Sequence, residues 1–284
     1  MSVFDPVLLT LSPEPNDTRW DDFAALGIQM FSLNLSRLTG MFLAKLKLQR
    51  LLESMQCNFV HSHGIRPDVL VASLGLDIPK VATVHNFPQM DYKMTFGRSL
   101  SVFMVKKHIQ AMKHFDRLIG CSVAVENNLK NVFGITNITS IQNGVDQAIF
   151  HPKGKGNWRF RSKFNIGETD VVWISTSHLS ERKDPFFLID AWSLIEERFP
   201  KHHLVFLGSG ALAKECSRRI AELKNVHMVG RVANVVDYLQ GSDFFITASH
   251  AEGLPMAAIE GMACGLPLLA TDIEPYKEIY SLSN

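Results

Sequence analysis

The chain has 284 residues, 46% of them hydrophobic and 20% charged, with a formal net charge of +1. This is the composition of a globular protein with room for two domains, and so small a net charge argues against a nucleic-acid binder driven by bulk electrostatics. No run of about 18 apolar residues is long enough to span a membrane. The N-terminus does not read as a signal peptide, and Cys57, Cys121, Cys216 and Cys264 lack metal spacing and suit buried thiols in a reducing compartment.

In chain order, the apolar run at 7–9 predicts a strand, the polar run 12–22 a loop, and 28–33 a second strand. An amphipathic helix is predicted over 40–55, with Leu43, Leu46, Leu48, Leu51 and Leu52 as its apolar side. Residues 59–61 read as a strand, 68–76 as a helix and 80–84 as a strand ending at His85. The stretch 92–114 should be helical, carrying Phe96, Leu100, Phe103, Met104, Ile109 and Met112 with Lys93, Arg98, Lys106, Lys107 and Lys113. Two readings of it stand side by side: a domain helix with a solvated face, or a surface that leans on an anionic membrane or a lipid-linked acceptor. A strand at 117–120, a helix at 124–133 and a strand at 138–142 complete an alternation that implies a mostly parallel sheet. His61, His63 and Asp68 follow one strand and His85 and Asn86 the next. A lone histidine is more often structural than catalytic, but one directly after a buried strand sits where the crevice of an α/β sheet opens.

Asn143-Gly144 is a strong turn former, and 153–158 is polar and Gly-rich, which places a domain boundary near 143–156. Beyond it, helices are predicted at 158–164, 186–199, 211–223 and 235–239, with strands at 170–174, 203–207, 226–229 and 243–248. Gly208-Ser209-Gly210 after a strand suits a close approach of backbone to ligand. On residue type alone, Lys183 is a surface charge.

The most informative stretch is 249–271, SHAEGLPMAAIEGMACGLPLLAT, which reads as loop, helix at 256–264 and strand at 266–270. Glu252 lies in the loop, and Glu260 lies one turn into a helix of otherwise small and apolar residues. Burying a carboxylate there costs several kcal/mol (roughly) without partners. Glu260 either caps backbone donors of the loop or lies on a wet face; alternatively, both acids face a crevice beyond the strand ends. In that second reading the helix N-terminus favours a phosphate while the carboxylates accept from hydroxyls, which suits a sugar or ribose attached to phosphate.

This segment resembles the signature of retaining glycosyltransferases of the family 4 and group 1 type, the group that includes sucrose synthases and bacterial lipopolysaccharide and capsule transferases. Their E-x7-E hallmark falls on Glu252 and Glu260, and Asn143-Gly144-Val145-Asp146 followed by Phe150 and Pro152 resembles their passage between domains. The resemblance implies an α/β fold with two Rossmann-like domains facing each other across a cleft (GT-B). It divides the chain into an acceptor-side domain at 1–142, a hinge at 143–156 and a nucleotide-sugar-binding domain at 157–284. The family's opening strand, Gly-rich turn and helix, and its closing elements, find no counterpart, so both domains are expected to be incomplete.

By the same resemblance Lys183 grips the donor's diphosphate. The partnering Arg position falls on His178, which is mostly neutral at pH 7 and lacks the guanidinium fork, with Arg182 close by. Glu260 holds ribose hydroxyls, Glu252 holds donor-sugar hydroxyls, and the backbone at Gly253 and Leu254 holds sugar or phosphate. Gly208 and Arg231 border the donor, Arg231 near the base. His85 contacts the transferred sugar, and His63 and Asn86 lie toward the acceptor. The expected catalytic set is His85, Lys183 and Glu252. The chain has no Asp-x-Asp, so neither a metal-bridged diphosphate nor a cofactor beyond the nucleotide-sugar donor is expected.

The implied reaction moves a hexosyl or N-acetylhexosaminyl group, with retention, from a nucleotide-diphosphate sugar to a hydroxyl of a carbohydrate or lipid-linked acceptor. The implied setting is surface polysaccharide, lipopolysaccharide or glycolipid synthesis in the cytoplasm, with peripheral contact at the inner membrane face as an option and no nucleic-acid partner. The rival reading is a truncated, non-catalytic nucleotide-sugar-binding or partner protein, favoured by His178 and the missing units.

Overall fold

The computed structural model describes residues 4–15, 18–152 and 159–282. In chain order the elements are β1 (Val7–Thr10), α1 (Trp20–Ala25), β2 (Gln29–Ser32), α2 (Arg37–Ser54), β3 (Val60–His63), α3 (Ile65–Ala72), β4 (Lys80–Val84), α4 (Pro88–Met112), β5 (Arg117–Gly120), α5 (Val123–Phe133) and β6 (Ile138–Ser140). They continue as α6 (Arg159–Lys163), β7 (Val171–Thr176), α7 (Pro185–Ser193), β8 (His202–Leu207), α8 (Ala213–Arg219), β9 (Val226–Gly230), α9 (Val235–Gln240), β10 (Phe244–Thr247), α10 (Met256–Ala263), β11 (Leu268–Ala270) and α11 (Glu274–Leu282). The fold is α/β with parallel sheets. The expected hinge at 143–156 and the helix start at Trp158 fall partly outside the described residues. Among the described residues no helix is long and apolar enough to cross a membrane.

The chain forms two compact units. One is Met1–Val84 with Lys106–Ile119 and Ile135–Ile138; the other is His85–Val105 with Gly120–Gly134 and Thr139–Asn284. In the first, β1 and β2 pair in parallel with Val7 opposite Gln29. β3 and β4 pair in parallel with Val60 opposite Lys80, in a sheet of order β3-β4-β5-β6.

The Asp68 carboxylate is sealed from solvent. It accepts from Ser62 Oγ at 2.6 Å and lies 2.8 Å from His108 Nε2, so one buried acid ties α3 to β3 and to the later part of α4. This partnering is what makes its burial tolerable.

Three sequence expectations are corrected in this part of the chain. Trp20 to Asp22, read as loop, begin α1. In α2 the inward positions are Ala44, Leu48 and Leu52, spaced by four, while Leu43 and Leu46 are exposed beside Leu38 and Phe42. A helix so rich in leucine offers more than one apolar stripe, and packing against its neighbours chooses among them. The helix expected over 92–114 is two helices, because Gly97 breaks α4 with φ 75° and ψ 172°. That backbone is open to glycine and strained for other residues.

In the second unit five parallel strands stand in the order β11-β10-β7-β8-β9. The chain enters at β7, builds β8 and β9 to one side, then crosses back to lay β10 and β11 on the other. The order therefore reverses between β7 and β10, the place where open α/β sheets hold ligands. β7 carries the apolar run Val171–Ile174 and β8 the run Leu204–Leu207, as strands covered on both faces should. Val172, Ile174, Leu204, Phe206 and Leu207 are buried with Leu179, Ile189 and Trp192.

α11 was not expected. Its Tyr276 and Ile279 are buried one turn apart, and its Glu278 accepts from the Val123 and Ala124 amides at 2.9 and 2.7 Å, capping α5.

Arg161 of α6 is buried. It donates to Gly241 O and Asp170 O, each at 2.8 Å, and to Asp243 Oδ2 at 2.7 Å, while that carboxylate also accepts from Val172 N at 2.8 Å. This network fixes the starts of β7 and β10, the two strands that flank the switch point. Arg161→Met should leave Asp243 without its cation and cost about 3–5 kcal/mol, read from urea unfolding curves; an unchanged midpoint would show that the network is not structural.

Candidate functional site

The loops that leave β7 and β10 lie side by side at the switch point. The first ends at Asp184, whose backbone takes φ 41° and whose Oδ1 caps α7 by accepting from Phe187 N at 3.1 Å. Its other oxygen lies 2.9 Å from His250 Nε2 on the second loop, and His250 N donates to Arg182 O at 2.8 Å. These bonds set the two loops in register and bring Arg182 and Lys183 opposite Glu252.

Glu252 is 5% exposed. Its Oε1 meets Lys183 Nζ directly, and its Oε2 lies 3.2 Å from Arg182 Nη1. The same Arg182 nitrogen donates to Ala251 O at 2.9 Å, and Arg182 Nε lies 3.8 Å from Asp91 Oδ1. Asn86 Nδ2 donates to Asp91 Oδ2 at 2.8 Å. The result is an alternating chain, Asn86–Asp91–Arg182–Glu252–Lys183, of two acids and two cations. Alternation gives each half-buried or buried charged group a neighbour of opposite sign. Burial raises the pKa of the Asp91 carboxyl, and the Arg182 guanidinium opposes that rise.

The backbone after Glu252 is tightly seated. A side chain on Gly253 would run into the carbonyl oxygen of His85 and the thiol of Cys121. Ser122 Oγ, fully buried, donates to Gly253 O at 2.8 Å and accepts from Val125 N at 3.1 Å. Burial pushes the Cys121 thiol up to about 11, so it is a packed thiol and not a nucleophile at neutral pH. Leu254 is buried.

The glycines after β8 serve a similar purpose. Gly208 takes φ 136°, and side chains at Gly208 or Gly210 would strike the backbone of Ser177 or Leu179. The close approach they permit is between neighbouring loops, with Leu179 N donating to Ser209 O at 2.9 Å.

The remaining sequence-predicted residues fall as follows. Glu260, on α10, is half-buried, and burial alone raises the pKa of its carboxyl. Among the described residues it makes no side-chain hydrogen bond or ion pair, so it is not seen capping the preceding loop. His178 is exposed, with its carbonyl 3.4 Å from Ser180 Oγ. Arg231 and His85 are exposed. His63 belongs to the other unit, where it is exposed on β3 and stacked on His61 at 4.6 Å. Among the described residues, no three His, Cys, Asp or Glu side chains are grouped to hold a metal ion.

Sequence reasoning missed Asp91 and Ser122. Asp91 carried one signal, an acid in the first turn of a helix that starts at Pro88, but nothing in the sequence joins it to Arg182.

Two family models match. Glycosyltransferase Family 4 covers residues 4–148, just over half of the chain, and Glycosyl transferases group 1 covers 156–282. An uncharacterised glycosyltransferase of Methanocaldococcus jannaschii is 33% identical over 111 residues, 38% of this chain and 27% of that protein. The UDP-Gal:alpha-D-GlcNAc-diphosphoundecaprenol alpha-1,3-galactosyltransferase of Escherichia coli is 25% identical over 269 residues, 89% of this chain and 67% of that protein. The chain spans only 27%, 37% and 60% of the lengths of three of the curated relatives it matches. Among solved structures, HepE of Anabaena in complex with UDP-glucose superposes with a TM-score of 0.79 at 18% identity, over 96% of this chain and 82% of that one, a likeness of fold.

Gly253→Ala should force the loop off the His85 carbonyl and destabilise the protein by about 1–3 kcal/mol, measured by thermal or urea unfolding; a variant as stable as the parent would show that the loop can yield.

Proposed function

The chain belongs to glycosyltransferase family 4, and on that premise we propose that it moves a sugar, with retention at the anomeric carbon, from a nucleotide-diphosphate sugar to an acceptor hydroxyl. The observation that carries this reading is the meeting of Lys183 and Glu252, from separate loops, at the strand-order reversal of a parallel sheet. The donor portion is 157–284, the acceptor portion 1–142, and 143–156 the passage between them; the bounds of the two family models support that division.

In the proposed reaction the leaving diphosphate gathers negative charge. Lys183 stabilises it, helped by Arg182 and the N-terminus of α10. Glu252 orients the sugar through its hydroxyls, and Glu260 holds the ribose. The amides at Gly253 and Leu254 face the sugar or phosphate. Gly208 and Arg231 border the nucleotide, and His178 stands at its outer side. His85 contacts the transferred hexosyl or N-acetylhexosaminyl group, with Asn86 toward the acceptor. No cofactor beyond the donor is required. HepE binds UDP-glucose, and the E. coli galactosyltransferase is named for a lipid-diphosphate acceptor. The second of these supports a lipid-linked acceptor and glycolipid synthesis; a carbohydrate acceptor, surface polysaccharide synthesis and a cytoplasmic setting complete the proposal.

The exposure and lack of a described side-chain partner at His178 favour a second reading, a nucleotide-sugar binder without turnover. Calorimetric titration with a panel of nucleotide sugars, UDP-glucose included, followed by measurement of sugar transfer, separates the two. Transfer should occur, and Lys183→Met should lower kcat/KM by about 10²–10³-fold. Binding without transfer would leave the second reading, and no binding at millimolar donor would end both.

We also propose that α4 beyond its break touches the membrane. It exposes Leu100, Val102 and Phe103 with Arg98, Lys106 and Lys107, and anionic lipid favours such basic residues by about 1 kcal/mol each. The protein should float with phosphatidylglycerol vesicles, stay behind with neutral ones, and be released by about 1 M salt; equal behaviour with both vesicles would overturn this.

A further inference from the structure

We propose that Glu252 is an internal counter-ion that the donor's diphosphate displaces from Lys183, so that sugar recognition by Glu252 depends on the arrival of the diphosphate. The inference rests on the reading above and adds an order of events to it.

The cluster has a formal charge balance of zero, with Asp91 and Glu252 against Arg182 and Lys183. A diphosphate entering a balanced cluster gains little unless a cation changes partner. The two cations differ in how firmly they are held. Arg182 has Glu252, the Ala251 carbonyl and Asp91 around it. Lys183, among the described residues, has Glu252 as its acidic partner. Its side chain is 15% exposed, against 31% for Arg182, so its ammonium depends on that one carboxylate for most of what water would supply. Lysine is also the more mobile cation, a point charge on a flexible stem, whereas the guanidinium fork is fixed by geometry. Lys183 is therefore the cation that changes hands, and Arg182, held by Asp91, is the one that stays.

The exchange has a consequence for Glu252. Each of its oxygens faces a cation, Oε1 on Lys183 and Oε2 on Arg182. A carboxylate binds a sugar hydroxyl by accepting its proton, which needs a free lone pair in the right direction. Once the diphosphate takes Lys183, Oε1 is released while Oε2 remains pinned by Arg182. The carboxylate then turns toward the sugar about a fixed point. A sugar without a diphosphate meets an oxygen already engaged. Asp91 and Asn86 are positioning residues in this scheme, holding the pivot.

Two sites linked by such an exchange show reciprocal coupling, about 5-fold or more in affinity. The test uses calorimetry with inorganic pyrophosphate and UDP on the full chain and on Glu252→Gln, which keeps the shape and removes the competing charge. Glu252→Gln should bind pyrophosphate about 5-fold or more tighter than the parent, while losing the parent's preference for UDP-glucose over UDP. Equal or weaker pyrophosphate binding by a variant with an unchanged melting temperature overturns the proposal.

Should Glu252→Gln fail to fold, the unaltered protein decides. Glucose, galactose and N-acetylglucosamine are each titrated alone and with saturating UDP. Binding of one of them only in the presence of UDP supports the exchange; equal binding in both conditions, or in neither, overturns it. If the parent transfers sugar but Glu252→Gln shows no gain for pyrophosphate, the exchange falls and the transferase reading stands. If pyrophosphate shows the gain but no nucleotide sugar binds, the transferase reading falls instead.

Discussion

A carboxylate that is almost out of contact with water must be answered by positive charge, and in this protein that requirement is met at Glu252 by Lys183 and Arg182. The three side chains come from two loops that are neighbours only because the chain, after building one side of its five-stranded sheet, crosses back to build the other. At the crossover, two strands that are neighbours in the sheet but distant along the chain send their following loops to the same place. Placing opposite charges on those two loops holds them together.

Much of the surrounding structure holds this arrangement still. Arg161 anchors the starts of the two strands. The Asp184–His250 contact and the Arg182 carbonyl fix the register of the loops. Gly253 lets its backbone lie against His85, and Ser122 clasps the Gly253 carbonyl. Glu278 caps α5, the helix that Ser122 starts. Each is a small local interaction, and together they remove freedom from the loop that carries Glu252.

The strands at 80–84 and 117–120 match β4 and β5 residue for residue, because short stretches rich in β-branched and other apolar residues favour a strand. α10 follows from the small and apolar residues of 256–264 and the Gly265 that ends it. α2 shows where such reasoning stops. Its leucines lie on more than one face, and Ala44, too small to count as a hydrophobic signal, points inward while Leu43 and Leu46 face water. The break at Gly97 was hidden because a single glycine is tolerated in many helices. α11 went unread because its two buried anchors, Tyr276 and Ile279, are set among charged and polar residues.

At the site, local sequence determined the chemistry on offer: an acid in a Gly-Leu-Pro loop, a lysine between a strand and a helix, and a second acid in a small-residue helix, because these depend on neighbours along the chain. Tertiary structure decided the partnerships. It joined Lys183 to Glu252, drew Arg182 into the cluster while leaving His178 exposed, gave Glu260 no described partner, and introduced Asp91 from a distant helix. Ion pairs depend on distance through space, and separation along the chain carries no record of that distance once the strand order departs from the order in which the strands are made.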